Sequence, residues 1–95
     1  MDNQNKLFQV FADVLEVDIA KLDEQSSPDT ITNWDSLAMV NLVCELEQTF
    51  GVSFDILEIA DFRNIGIVKS VLVEKGVVFE EWVWVLMITK QFSLN

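Results

Sequence analysis

The chain has 95 residues, a mass near 10.9 kDa and a formal net charge of -10, from 6 basic and 16 acidic side chains. A chain of this length forms one small domain, and its negative charge argues against binding to nucleic acid or to an anionic membrane surface. Histidine is absent, which removes the Ser-His and Cys-His nucleophile pairs and the usual zinc ligands. We therefore expect neither an enzyme nor a metal site. A hydrophobic share of 51% with only 3 glycines and 1 proline favours a compact helical domain.

Cysteine use and hydropathy bear on the cellular location. Cys44 is the only cysteine, so no intrachain disulfide can form, and its place near an apolar stripe predicts a buried structural thiol. The first six residues lack the basic start and the apolar stretch of a secretion signal. The longest uncharged apolar run, residues 82–88, is far shorter than the ~20 residues that span a bilayer. We expect a cytoplasmic protein without stable membrane insertion.

The first half of the chain predicts two helices joined by a long loop. Apolar residues recur at three- and four-residue spacing over residues 6–16, with Asp2 or Asn3 as the cap. Residues 17–33 lose this spacing and form a loop that either has a function or packs on itself. The strongest helix signal covers residues 35–50, which Gly51 ends. Its predicted apolar stripe consists of Leu37, Val40, Val43, Leu46 and Phe50.

The second half predicts two shorter helical segments and an extension. Residues 52–61 indicate a strand-like link into one or two helical turns, and Asn64 can cap a last helix over residues 65–75, which Gly76 ends. The prediction is an all-α, small four-helix bundle in residues 1–76. Its predicted core is Phe8, Phe11, Val14, Leu15, Val40, Val43, Leu46, Phe50, Phe54, Ile59, Phe62, Val68 and Leu72.

Residues 77–95 form a hydrophobic C-terminal extension whose structure the sequence leaves open. A fifth helix, a strand that pairs across a dimer, a segment that binds a partner and a non-native tail all fit its composition. Residues 83–88 combine β-propensity, aromatic residues and no charge, so we expect them to be buried. We expect a monomer, with a dimer through this extension as the alternative.

The most informative residues lie where the polar loop meets the strongest helix. Ser36 falls in the first turn of that helix, beside backbone N–H groups that have no partner within the helix. The positive end of the helix dipole favours a phosphate there by roughly 0.3–1 kcal/mol. Nothing in the sequence would activate Ser36 as a nucleophile, because the chain has no histidine and no lysine close to it in sequence. A modification of Ser36 would therefore require another enzyme.

At Asp35-Ser36-Leu37 the chain resembles the acyl carrier protein family, in which such a motif opens the second helix of a four-helix bundle. The resemblance covers residues 5–76 and includes the Phe50-Gly51-Val52 end of that helix. It implies that a phosphopantetheinyl transferase attaches 4′-phosphopantetheine to Ser36, with Asp35 as helix cap and aid to the transferase. The arm would hold acyl groups as thioesters in fatty-acid, polyketide or specialised biosynthesis. The protein itself would catalyse nothing.

The acidic composition around the motif predicts how partners are recruited. No Lys or Arg lies between Leu22 and Phe62, whereas nine Asp or Glu residues do. This face is expected to steer the protein onto basic patches of acyl-loading and acyl-processing enzymes. The predicted partner contacts are Trp34, Leu37, Met39, Glu45 and Glu47, with ordinary packing as the alternative for the apolar three and a solvated surface as the alternative for the two glutamates.

Two alternatives to an acyl carrier stay open, one with a different cargo and one without any cargo. The first is an aminoacyl or hydroxyacyl carrier of a cell-wall, polysaccharide or nonribosomal pathway. Within the resemblance, Ala38 and Asn41 stand where the family often has acidic residues, which indicates a different set of partners. The second alternative is an unmodified acidic helical module that binds proteins and does not use the Ser36 hydroxyl.

Overall fold

The computed structural model describes residues 2–79, and within them every regular element is helical. The elements are α1 (Asn3–Leu15), a 3-10 turn (Ile19–Lys21), α2 (Ser36–Phe50), α3 (Ile56–Ala60) and α4 (Ile65–Glu74). The predicted all-α, four-helix architecture is confirmed. None of the helices in this part of the chain is long and apolar enough to cross a membrane.

Each of the four α-helices begins at a side chain that accepts a hydrogen bond from the first turn. The acceptor oxygens and the backbone nitrogens lie 2.8–2.9 Å apart. These caps satisfy N–H groups that have no partner within the helix. Sequence predicted Asp35 and Asn64, and of the two candidates for α1 it is Asp2 that caps. The caps are Asp2, Asp35, Asp55 and Asn64.

Three helices supply the core. On each of them, buried side chains recur at three- and four-residue spacing, as expected for helices that share one interior. Phe62 and Trp34 complete the core from the loops, whereas α3 has no buried residue. The buried apolar helical positions are Leu7, Val10, Phe11, Ala12 and Leu15 on α1, Ala38, Leu42 and Leu46 on α2, and Ile65, Val68 and Leu72 on α4.

The predicted apolar stripe of α2 is confirmed for its last three residues, which are buried or pack against the core, but it is wrong for its first two, because the buried face is rotated about the helix axis. The buried positions are Ala38, Leu42 and Leu46, whereas Leu37 and Val40 are 72% and 60% exposed. The first eight residues of α2 contain six apolar side chains, so more than one helical face satisfies a three- and four-residue spacing. The face that packs against α1 is set by tertiary contacts, which the spacing does not report. Val40 is therefore removed from the predicted core.

The long loop before α2 packs on itself and on two helices, which confirms one of its two predicted roles. The buried Ser26 hydroxyl accepts a hydrogen bond from the Asp23 N–H at 3.0 Å. The Ile65 and Gly66 N–H groups at the start of α4 donate to the carbonyls of Ser26 and Glu24 at 3.1 and 2.9 Å. A Cβ on Gly66 would lie 3.1 Å from the Glu24 carbonyl oxygen, so this close approach favours glycine. The loop therefore fixes the first turn of α4.

The structure of the segment between α2 and α3 also agrees with the prediction from the sequence. Residues 52–55 form a link without strand pairing, and a single helical stretch follows. Asp55 and Glu58 form a reciprocal capping box, which explains why so short a helix is stable. The prediction of one or two helical turns in residues 52–61 is confirmed.

Packing continues past Gly76, where the sequence predicted a domain boundary. Phe79 is buried, its ring centroid lies 6.3 Å from that of Phe50, and the Asn3 side chain donates to the Val78 carbonyl at 2.7 Å. The Lys69 ammonium is also buried, lies 5.2 Å from the Phe79 ring centroid and pairs with Glu24 at 3.3 Å. Residues 80–95, with the predicted apolar run, lie outside the described residues, and the division at Gly76 stays a prediction.

Candidate functional site

The candidate site is the first turn of α2. Ser36 is the first residue of this 15-residue helix and is exposed. The Asp35 carboxylate accepts a hydrogen bond from the Ala38 N–H, and the Asp35 carbonyl accepts one from the Met39 N–H, both at 2.9 Å. The N–H groups of Ser36 and Leu37 have no acceptor within residues 2–79. The Ser36 hydroxyl thus stands in solvent beside two open donors at the positive end of a helix dipole.

A turn fastened to α1 holds this site in place. The Asn33 side chain donates to the Leu15 carbonyl at 2.8 Å, and the Trp34 N–H donates to the Ile31 carbonyl at 3.1 Å. The Trp34 side chain is only 4% exposed, and its ring centroid lies 5.2 Å from that of Phe11. The prediction that Trp34 contacts a partner is therefore wrong, because its ring fills the core directly beneath the turn. Its Nε1–H is buried and has no hydrogen-bond partner among residues 2–79.

Among the serines in residues 2–79, only Ser36 opens a helix. Ser26 is buried, and the hydroxyls of Ser27 and Ser70 form hydrogen bonds with nearby backbone groups. Ser53 is exposed but lies in the link before α3. Within residues 2–79, Ser36 is therefore the one serine that has an exposed hydroxyl next to backbone N–H groups without an acceptor.

The surroundings of Ser36 fit a modification made by another enzyme. The chain has no histidine, and no lysine or arginine occurs in residues 23–61. The Asp35 carboxylate is occupied as a helix cap, so it is poorly placed to act as a base for its neighbour. The part of the chain that the structure describes contains no cluster of three or more metal-binding side chains. A modification of this hydroxyl would therefore depend on groups supplied from outside these residues.

The remaining predicted contacts on α2 differ in how available they are. Leu37 and Glu45 are exposed, whereas Met39 is half-buried and packs against the core. Glu47 is also half-buried, and its carboxylate accepts the Phe54 N–H at 2.9 Å. The solvated-surface alternative is thus wrong for Glu47, since its carboxylate fastens the link after α2. A partner role of these residues stays a prediction.

The predicted burial of two residues on α2 is wrong. Cys44 is exposed, so the prediction of a buried thiol is wrong. Val40 is exposed and lies one helical turn after Ser36, although it was predicted to be in the core. Both errors follow from the rotated stripe of α2, and the four-residue interval from Ser36 was the signal that could have placed Val40 on the same side of the helix as Ser36.

Acidic residues also flank α3. The Glu58 carboxylate accepts the Asp55 N–H at 2.9 Å and pairs with the Lys75 ammonium at 2.8 Å. The hydrogen bond from Lys75, followed by that from the Asp55 backbone, holds the pKa of Glu58 below its usual value of 4.5. This carboxylate therefore joins α3 to the end of α4 rather than standing free for a partner.

Comparison with known protein families identifies the class of protein to which the chain belongs. Residues 5–68, about two thirds of the chain, match the family described as "Phosphopantetheine attachment site", and the chain belongs to this family. None of the curated proteins with which the chain was compared matches it. The protein is accordingly a carrier domain of the kind that bears 4′-phosphopantetheine covalently on a serine. Such domains are themselves non-catalytic and interact with a phosphopantetheinyl transferase and with biosynthetic enzymes.

Proposed function

We propose that Ser36 is the serine that bears the arm, and that the protein holds acyl intermediates as thioesters and passes them between the enzymes of a fatty-acid, polyketide or specialised biosynthetic pathway. The observation that supports this assignment is the exposed hydroxyl at the first position of α2, next to the open N–H groups of Ser36 and Leu37. Among the serines in residues 2–79, none of the others combines exposure with a helix start.

The residues around Ser36 suit a phosphodiester. Ser36 Oγ would become its ester oxygen, and the open N–H groups with the helix dipole favour the negative charge by roughly 0.3–1 kcal/mol. Asp35 keeps the first turn in helical form through the Ala38 N–H and, as a further part of the proposal, helps the transferase to place its metal ion. The arm supplies a thiol for thioester formation.

Recruitment of enzymes is proposed to use the negative charge of the domain. Glu45 is exposed on α2, and further acids lie in the preceding loop and near α3. Because an exposed ion pair contributes about 0–1 kcal/mol and is screened by salt, such contacts guide a partner without holding it. Leu37 and Met39 are proposed as apolar contacts within the same interface. Fast release is what a shuttle between several enzymes requires.

The test is intact mass spectrometry after incubation with coenzyme A and a broad-specificity phosphopantetheinyl transferase. We expect one added arm on the wild type and none on Ser36→Ala. Ser53→Ala is the matched control, because Ser53 is the other exposed serine in residues 2–79 whose hydroxyl forms no hydrogen bond there, and it should accept the arm like the wild type. Far-UV circular dichroism establishes that all three proteins are folded.

Two other outcomes of this experiment would contradict the proposal. An arm that still attaches to Ser36→Ala would reject Ser36 as the site. A folded wild type that accepts no arm would favour the unmodified protein-binding module. If the arm attaches, loading with acyl, hydroxyacyl and aminoacyl groups by candidate enzymes separates the cargo classes.

A further inference from the structure

A groove lies between the first half of α1 and the loop that follows the helix. It has a volume of about 740 Å³, within the range of roughly 300–1,000 Å³ that is usual for ligand sites. Gln4 and Phe8 line it from one side of α1, because they are four residues apart. Ile19 and Leu22 line it from the 3-10 turn. We call this site the α1–loop groove, and its lining residues are Asp2, Gln4, Asn5, Phe8, Ile19, Leu22, Asp23 and Glu24.

The apolar lining of the α1–loop groove is partly open to water. Phe8, Ile19 and Leu22 are all half-buried. Phe8 and Leu22 also pack against the core, whereas Ile19 does not belong to it. The Gln4 Oε1 atom is buried and accepts no hydrogen bond from residues 2–79, so the Gln4 amide loses no bond through this atom when it turns toward a ligand. Apolar side chains of a ligand would therefore be buried favourably in the groove.

The charged lining of the groove is acidic. Asp2, Asp23 and Glu24 are exposed, and no lysine or arginine of residues 2–79 lines the groove. Asp2 and Asp23 each accept one backbone N–H through Oδ1 at 2.8 Å, and no described residue donates to their Oδ2 atoms. Glu24 pairs with the buried Lys69 ammonium at 3.3 Å. The groove therefore has two carboxylates that can pair with cations of a ligand.

We infer that the α1–loop groove binds a basic amphipathic helix of a partner protein. Apolar side chains of that helix would cover Phe8, Ile19 and Leu22. Lysine or arginine side chains beside them would pair with Asp2 and Asp23. The lining residues of the first helix extend over residues 2–8, about 9 Å, which corresponds to about two turns of a bound helix. No part of this binding mode uses Ser36, so it goes beyond the proposed function.

Charge distinguishes this partner from the other occupants of the groove. A second copy of the chain has a net charge of -10, so its approach to the acidic lining is opposed. Residues 80–95 contain Glu80, Glu81 and a single basic residue, Lys90, so they do not supply a set of cations. An anionic membrane surface is repelled as well. A basic helix complements both the apolar and the acidic part of the groove.

The position of the groove leaves Ser36 accessible. The turn before Ser36 is fastened to the opposite end of α1, where the Asn33 side chain donates to the Leu15 carbonyl at 2.8 Å. Residues 2–8 precede Leu15 by about 10–20 Å along the helix axis. A protein that binds the groove can therefore hold the domain while Ser36 stays open to another protein.

The test is an NMR titration of the isotope-labelled full chain with a synthetic helical peptide of about 14 residues, which has leucines on one face and lysines on the other. Amide chemical shifts locate the binding site, and their dependence on peptide concentration gives Kd. We expect the largest shifts in residues 2–8 and 19–24. A peptide of the same composition in scrambled order has the same charge but no apolar face, and it should bind at least about tenfold more weakly.

Two double variants separate the groove from a general attraction to an acidic protein. Asp2→Asn/Asp23→Asn removes two charges but keeps both side-chain oxygens as acceptors for the backbone N–H groups, and we expect Kd to rise by about fivefold. Asp13→Asn/Asp29→Asn is the matched control, because both residues are exposed, lie outside the groove and give the same net charge. Its Kd should change by less than about twofold.

A second pair of variants tests the apolar contact. Ile19→Ser should raise Kd by about tenfold, because it removes an apolar side chain that the helix would cover. Ile56→Ser is the control, since Ile56 is 80% exposed on α3 and lies outside the groove. Far-UV circular dichroism establishes that all variants are folded.

Several outcomes would overturn the inference. Largest shifts on α2 or α3, or equal effects of the two double variants, would show attraction by overall charge. Groove amides whose shifts depend on protein concentration without the peptide would assign the groove to a second copy. If the peptide leaves the groove amides unchanged and Ile19→Ser moves the indole signals of Trp82 and Trp84, the groove belongs to residues 80–95. None of these measurements involves the arm, so the proposed function is tested separately.

Discussion

Asp35 combines two roles that can be separated by substitution. Its carboxylate caps α2 through the Ala38 N–H, and its charge is proposed to assist the transferase. Loss of a cap costs about 0.5–2 kcal/mol, whereas asparagine caps about as well as aspartate. Asp35 is therefore a residue at which folding and recognition have different chemical requirements.

We expect Asp35→Ala to lower the free energy of unfolding by about 0.5–2 kcal/mol in chemical denaturation, and Asp35→Asn to stay close to the wild type. In arm attachment, both variants should have a lower kcat/KM, since neither retains the carboxylate. If Asp35→Asn accepts the arm as fast as the wild type, Asp35 serves as a cap only.

At the scale of the element, the rotation of α2 can be tested by stability. Leu42 is 1% exposed and Val40 is 60% exposed. Leu42→Ala should therefore lower the free energy of unfolding by about 2–5 kcal/mol, because it leaves a cavity, whereas Val40→Ala should change it by less than about 0.5 kcal/mol. Urea denaturation of the two variants measures both values. Comparable losses at both positions would contradict the rotation of the helix described above.

The link between α3 and α4 predicts a dependence of stability on pH. The pKa of Glu58 is lowered in the folded state by the Lys75 ammonium and the Asp55 N–H. Its ionised form therefore stabilises the fold at pH values above its ordinary pKa, and this contribution is lost as the pH falls through the lowered value. In Glu58→Gln we expect lower stability near neutral pH and a smaller further loss on acidification than in the wild type.

Thermal denaturation between about pH 3 and pH 7 measures this difference. Glu74→Gln serves as the control, since Glu74 is an exposed carboxylate at the end of α4. A wild type and a Glu58→Gln variant with parallel pH profiles would contradict the prediction.

The sequence predicted the helices well because their ends are local features. Caps such as Asp35 and Asn64, and the Gly51 that ends α2 with φ of +65°, depend on a few neighbouring residues. The orientation of α2 was not predictable in the same way, since its apolar residues fit several faces and contacts with α1 decide between them. The same reason explains the error at Cys44, whereas Trp34 lies before α2 and is buried by a contact with Phe11 of α1 that no local pattern reports. Ser36 could be proposed from the sequence because its signal, a serine after a capping aspartate, is local.

At the scale of the whole molecule, charge and apolar surface are divided between regions. The acids lie mainly in the long loop and around α3, with one on α1 and one at each of its ends, while residues 36–44 of α2 have none. A net charge of -10 acts over about a Debye length, roughly 8–10 Å at ordinary salt, and steers basic partners before contact. We therefore propose that steering comes from the long loop and from the surroundings of α3 rather than from the first turns of α2.

The distribution of lysines has a consequence for the chemical lifetime of a thioester cargo. Primary amines cleave thioesters, but residues 23–61, which include all of α2 and α3, contain no lysine. On α4 the Lys69 amine is fully buried against Glu24 and Phe79, so it cannot reach a cargo in solvent. Under the proposed function, the segment that presents Ser36 therefore offers no amine of its own for self-acylation by a thioester cargo.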